Sequence, residues 1–104
     1  MKVGFIDSSI IEFLESIGEE QETRVAKSIE LLKEYGFNLR MPHSKALGGG
    51  LFELRIQGND AVRMFYTFNN GMAVILHCFH KRAQKLPERE LRIALGKLKH
   101  LHNI

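Results

Sequence analysis

One cysteine, Cys78, is present, so no internal disulfide can form and a reducing compartment is expected. No stretch of about 18 apolar residues occurs, which excludes a membrane-spanning helix from the reading. The first twenty residues turn acidic too early for a secretory signal, so a cytoplasmic location is expected. Neither a Gly-x-Ser-x-Gly element nor a dinucleotide-binding glycine fingerprint appears. Gly48-Gly49-Gly50 is not followed by the Gly-Lys-Ser/Thr of a phosphate loop. His77 and His80 lack the helical i, i+4 spacing and the glutamate of a zinc protease, and Cys78 has no cysteine nearby. No metal and no cofactor are therefore expected. Internal repeats and low-complexity stretches are also missing.

What is present is an ordinary globular composition, 44% hydrophobic and 26% charged over 104 residues, which fits a single domain over 1–104. The net charge of +3 hides a polarity. Residues 1–39 carry four basic and eight acidic groups, whereas residues 40–104 carry eleven basic and four acidic ones. A basic second half points to an anionic partner, phosphates first among them.

Residues 2–6 read as a short strand. Ser9 and Glu12 have capping-box spacing ahead of a helix through Ile10, Phe13, Leu14 and Ile17, and Gly18 ends it. Glu19, Glu20 and Glu22 suit the first turn of a second helix, which Gly36 closes. Residues 37–50, with Pro42 and three glycines, read as a loop. Leu51–Ile56, Val62–Phe68 and Met72–Phe79 are strand-like runs joined by short polar turns, the second a three-residue loop Asn69-Asn70-Gly71. Pro87 opens a last helix with Leu91, Ala94, Leu95, Leu98 and Leu101 as its buried stripe and Lys97, Lys99, His100 and His102 at its wet end. The order β-α-α-β-β-β-α predicts an α+β fold, a small antiparallel-containing sheet packed by an N-terminal helical hairpin and a C-terminal helix.

Alternation divides each strand into two faces. Phe52, Leu54 and Ile56, with Val62, Met64, Tyr66 and Phe68, should meet the helices, as should Val74, Leu76 and Cys78. The other face, expected to be open, carries Glu53, Arg55, Arg63, His77 and Lys81, while Phe65 and Phe79 are expected to be covered by the C-terminal helix rather than to stack nucleobases. A symmetric turn sets Arg55 opposite Arg63. The three-residue loop pairs Phe68 with Met72 and Arg63 with His77. Directly opposed residues have Cβ atoms about 5 Å apart, so two facing arginines need an anion or a carboxylate between them, and Glu53 is available. Lys45, Arg82 and Lys85 extend the basic patch. His80 is a rival histidine that strict alternation puts on the core face.

Such a set suits metal-free RNA cleavage, in which a ribose 2′-hydroxyl attacks its own phosphate. Arg55 and Arg63 would clamp the phosphate, His77 would act as acid or base beside Arg63, and Lys81 would add charge. The plainer alternative is a structural ion-pair network around Glu53, with His77 a half-buried strand histidine.

Leu-Gly-Gly-Gly-Leu-Phe-Glu-Leu-Arg (47–55), Val-Arg-Met-Phe-Tyr (62–66), Leu-His-Cys-Phe-His-Lys-Arg (76–82) and Gln-Lys-Leu-Pro-Glu-Arg-Glu (84–90) occur in order. Together they resemble the phage-derived, HigB-like branch of the RelE/ParE toxin superfamily. The resemblance implies a toxin of a type II toxin–antitoxin pair. Its RelE-like members cut messenger RNA in the ribosomal A site with basic residues in place of a metal. By motif, Glu53, Arg55, Arg63, His77 and Lys81 carry over, with Arg82 where a second lysine is more usual and Leu86 where threonine commonly precedes Pro87. By position, Lys45, Glu53, His80, Arg82 and Lys85 would contact RNA or ribosome. The implied partners are messenger RNA on the ribosome and a cognate antitoxin of helix-turn-helix type. ParE-like relatives, which poison DNA gyrase without cutting RNA, and an inactive antitoxin-binding remnant are the alternatives.

Overall fold

Alternation along the central strands places two apolar sets back to back, and each becomes a core. The computed structural model describes residues 1–58, 62–82 and 84–103. Its elements are β1 (Val3–Phe5), α1 (Ser9–Ser16), α2 (Glu19–Tyr35), a short 3₁₀ turn, β2 (Ser44–Gly48), β3 (Leu51–Arg55), β4 (Val62–Asn69), β5 (Met72–His80) and α3 (Glu88–His102). The five strands form one mixed sheet ordered β1-β5-β4-β3-β2, with β1 parallel to β5 and the other pairs antiparallel. No helix of the described residues is long and apolar enough to cross a membrane.

On one face Leu54, Ile56, Val62, Met64, Tyr66 and Ile75 pack against Ile10 of α1 and Val25 and Leu32 of α2. On the other, Leu51, Phe65, Leu76 and Phe79 pack against Ala94 and Leu98 of α3. The second face is therefore roofed by α3 over Phe65 and Phe79, as expected of those two rings, so it is open only beyond them and the fold has three layers. The physical reason is that α3 carries an apolar stripe of its own that must be covered, and Phe65 and Phe79 supply the matching surface.

Three further expectations change. Residues 44–48 are not loop but an added edge strand, closed onto β3 by Gly49-Gly50. Gly48, Gly49 and Gly50 have φ of 93°, 64° and 85°, a left-handed run only glycine adopts without strain. Ser44 anchors the strand with a buried 2.6 Å hydrogen bond between its Oγ and the Tyr66 hydroxyl. The β4–β5 connection is the two-residue Asn70-Gly71, both left-handed (φ 52° and 76°), so Asn69, not Phe68, pairs with Met72. Asn-Gly is the pair that matches the twist of a tight hairpin. Finally, a bulge lies between Phe65 and Tyr66: Phe65 pairs with His77 but Tyr66 with Ile75, leaving Leu76 as the extra residue. A bulge resets alternation, so Cys78 shares the hairpin-side core with Ile75, whereas Val74 and Leu76 turn to α3.

At the helix ends, the Ser9–Glu12 capping box does not form. Asp7 instead accepts from the Ser9 amide at 3.0 Å and from its hydroxyl. Lys97, expected in solvent, reaches back to Asp7 Oδ2 (3.1 Å) and Ser9 Oγ (2.9 Å), tying α3 to the start of α1. Leu95 lies outside the buried stripe, 44% exposed. Leu54→Ala should lower the unfolding free energy by about 2–5 kcal/mol, whereas Leu95→Ala should change it by no more than about 0.5 kcal/mol. Urea denaturation of both variants checks this, and equal losses would contradict the core assignment. Hydrogen bonding to Ser9, aided by Lys97, holds the Asp7 carboxyl below its ordinary value of 3.8. Its stabilising contribution is complete above that value and is lost as pH falls through the lowered one. Asp7→Asn should thus be less stable than wild type at neutral pH and converge with it in strong acid. A constant difference across an acid titration would refute the link.

Candidate functional site

The sheet brings the predicted polar residues into two adjacent rows. Lys45, Glu53, Phe65 and His77 pair in sequence across β2, β3, β4 and β5. The next row holds Arg55, Arg63 and Phe79. Directly paired residues project to the same side, so the two arginines do face one another as the symmetric turn predicts. Arg63 does not pair with His77; the bulge moves Phe79 opposite Arg63 and sets His77 one row away.

Glu53 is the electrostatic centre. It is 3% exposed, its Oε1 lies 3.6 Å from Arg55 Nε and its Oε2 3.6 Å from Arg63 Nε. These distances are ion pairing without hydrogen bonding. Among the described residues, Glu53 Oε2 and Arg63 Nε have no hydrogen-bond partner. Desolvation pushes the Arg63 guanidinium below its usual value, opposed by the Glu53 charge, with Arg55 adding to the depression. Arginine stays protonated at working pH even so. The site therefore keeps concentrated positive charge with an unused buried donor. Both arginines line a cleft of about 290 Å³ completed by Pro42, Ile56, Gln57 and Gly58. Gln57 braces it by donating to the Pro42 carbonyl at 3.2 Å.

The remaining predicted residues are spread around this pair. His77 is held by Glu90 of α3, Nε2 to Oε1 at 3.0 Å, and both side chains are largely buried. Lys81 lies just beyond β5, two residues past the partner of Arg63. Arg82 and Lys85 are exposed in the segment leading to α3, and Lys45 is exposed on the edge strand. His80 is on the opposite face, its ring 5.2 Å from that of Phe13, as strict alternation predicted and away from the arginines. Burial pushes the Cys78 thiol up to about 12, which keeps it neutral. No three of the described His, Cys, Asp or Glu side chains gather to hold a metal. Sequence reasoning missed Glu90, which enters it only as the last residue of the 84–90 motif, and missed Pro42 and Gln57 as parts of the site. The available signal for Gln57 was its place two residues after Arg55, just beyond the end of β3.

Compared with known families, residues 12–99 match the model for Gp49, a phage-derived Gp49-like protein family (DUF891). The chain belongs to that family. It is a RelE-like toxin family, which agrees with the toxin resemblance and with a phage origin. A search of curated proteins returns no match. In this Gp49-like protein the basic cleft occupies β3 and β4, inside the matched span. Glu53→Gln removes the counter-charge from two facing guanidinium groups and should cost about 1–3 kcal/mol of stability. Added phosphate should then raise the melting temperature of the variant more than that of wild type. A variant as stable as wild type and indifferent to phosphate would contradict the role given to Glu53.

Proposed function

We propose that this Gp49-like protein is the toxin of a type II toxin–antitoxin pair, of the HigB-like kind, and a ribosome-dependent messenger RNA endoribonuclease. The observation that carries the proposal is the cleft in which Arg55 and Arg63 face each other over buried Glu53. A phosphodiester entering it meets two forked guanidinium donors. Fixed positive charge of this kind stabilises a crowded phosphorane-like transition state without reorganisation.

In the reaction the ribose 2′-oxygen bonds to phosphorus as the bond to the 5′-oxygen of the next nucleotide breaks. A base takes the 2′-hydroxyl proton and an acid returns one to the leaving oxygen, giving a 2′,3′-cyclic phosphate and a 5′-hydroxyl. His77 is the side chain of the site best suited to proton transfer near neutral pH. To serve, it must exchange Glu90 for substrate, so movement at the start of α3 belongs to the mechanism. Lys81, Arg82, Lys85 and Lys45 supply outer positive charge for the strand and for ribosomal RNA. His80 takes no part in the chemistry on this account, because it faces α1. An antitoxin, of helix-turn-helix type, covers the basic surface in the silent state, and both act in the cytoplasm.

Brief expression in cells with mapping of new messenger RNA 5′ ends tests the proposal. Wild type should produce cuts at translated codons, and a folded Arg63→Ala protein should produce none. Growth arrest with intact transcripts and altered DNA supercoiling would instead identify a gyrase-binding toxin, and a silent wild type would identify an inactive remnant. His77→Gln should lower the cleavage rate by about 10²–10⁴-fold and flatten its dependence on pH. An unchanged pH profile would transfer the proton role to Lys81 or another group.

A further inference from the structure

A second cavity, of about 350 Å³, adjoins the arginine cleft and shares Gln57 and Gly58 with it. Its volume lies at the lower end of the range for small-ligand pockets, about 300–1,000 Å³. One wall is a single stripe of α2, in which Arg24, Lys27, Ser28 and Leu31 follow i, i+3, i+4, i+7 spacing. The opposite wall is His43, Gln57 and Gly58. Two of the four basic residues in the acidic first 39 thus fall on the one stripe that meets the basic cleft.

The two cavities differ in chemistry. The arginine cleft is walled by two guanidinium groups. This second cavity has Leu31 and buried Ser28 in its wall, with the cations Arg24 and Lys27 and the imidazole of His43 beside them. An ionic cleft that shares a wall with a part-apolar pocket lined by a histidine matches the alternation of phosphate and base along a single strand. In the shared wall Gly58 sits at φ +135°, where a side chain would be strained, and the Arg24 guanidinium lies against it. Arg24 is held in turn by Glu20 at 2.8 Å.

We propose that this cavity is the subsite for the nucleobase adjacent to the phosphate clamped by Arg55 and Arg63. His43 meets the base edge, and Lys27 sits over the neighbouring phosphate. The subsite rests on the RNA-cleaving function proposed above and extends it, since it would make the enzyme selective for the base next to the cut.

The test uses the full chain with an RNA trinucleotide whose cleavage-site sugar is 2′-deoxy, so that it binds without being cut. Amide shifts in the wild type should appear at Ser28, Leu31 and Gly58 with the trinucleotide but not with inorganic phosphate, which should move only the arginine cleft. A Lys27→Ala/His43→Gln protein, its fold checked by the same spectra, should bind the trinucleotide about tenfold more weakly and phosphate as wild type does. Arg63→Ala should weaken both. Undiminished trinucleotide affinity in the double variant, or no shifts in the cavity, would overturn the subsite while leaving the arginine clamp intact. Trinucleotide and phosphate binding insensitive to Arg63→Ala would overturn the clamp, and no binding by wild type would overturn both.

Discussion

The charge arrangement at the centre of this sheet depends on one carboxylate. Glu53 lies 3% exposed between two arginines on neighbouring strands, and it is what allows like charges to stand opposite each other in a sheet. The burial of that carboxylate is itself tolerable only because two cations compensate it. At 3.6 Å on each side the attraction is Coulombic, and the donor capacity of Arg63 Nε stays unspent. The arrangement is a held charge, positioned by β3 and β4 and ready for an external anion.

The layers around the sheet explain how the charge is kept in place. The helical hairpin of α1 and α2 closes one face, and α3 closes the half of the other that carries Phe65 and Phe79. What α3 leaves open is the corner near the end of β3, where Pro42, Gln57 and Gly58 frame the cleft. The same helix brings Glu90 onto His77, so the element that completes the core also occupies the histidine. Lys97 and Asp7 fasten its far end to α1. Membership of a RelE-like toxin family gives this basic cleft a setting that suggests an antitoxin partner.

Much of this was legible in the residues themselves. The periodicity of Ile10, Val25 and Leu32, the alternation of Leu54 with Arg55, and the turn between β3 and β4 were enough to place Arg55 against Arg63 and Glu53 beneath them. The His77 register was not legible, because a bulge at Leu76 has no signature in an apolar run that reads equally well in either phase. The edge strand at 44–48 escaped because Lys45 and Ala46 are both exposed and three glycines follow, so neither alternation nor burial marked it. The covering of Phe65 and Phe79 by α3 was legible, because two large rings on a strand face beside a helix with its own apolar stripe are better buried than wet. Asn70-Gly71, by contrast, carried the correct hairpin in its two residues, and counting Asn69 into the loop shifted the register.

The central claim is that Arg55 and Arg63 act together as an anion cleft over Glu53. The most direct measurement follows the guanidinium Nε–H resonances of both arginines by ¹⁵N NMR during titration with inorganic phosphate. The account predicts that both resonances move along one saturating curve, with Arg63 Nε showing the larger change as its unused donor engages. Resonances that stay fixed, or that move independently with different midpoints, would contradict it.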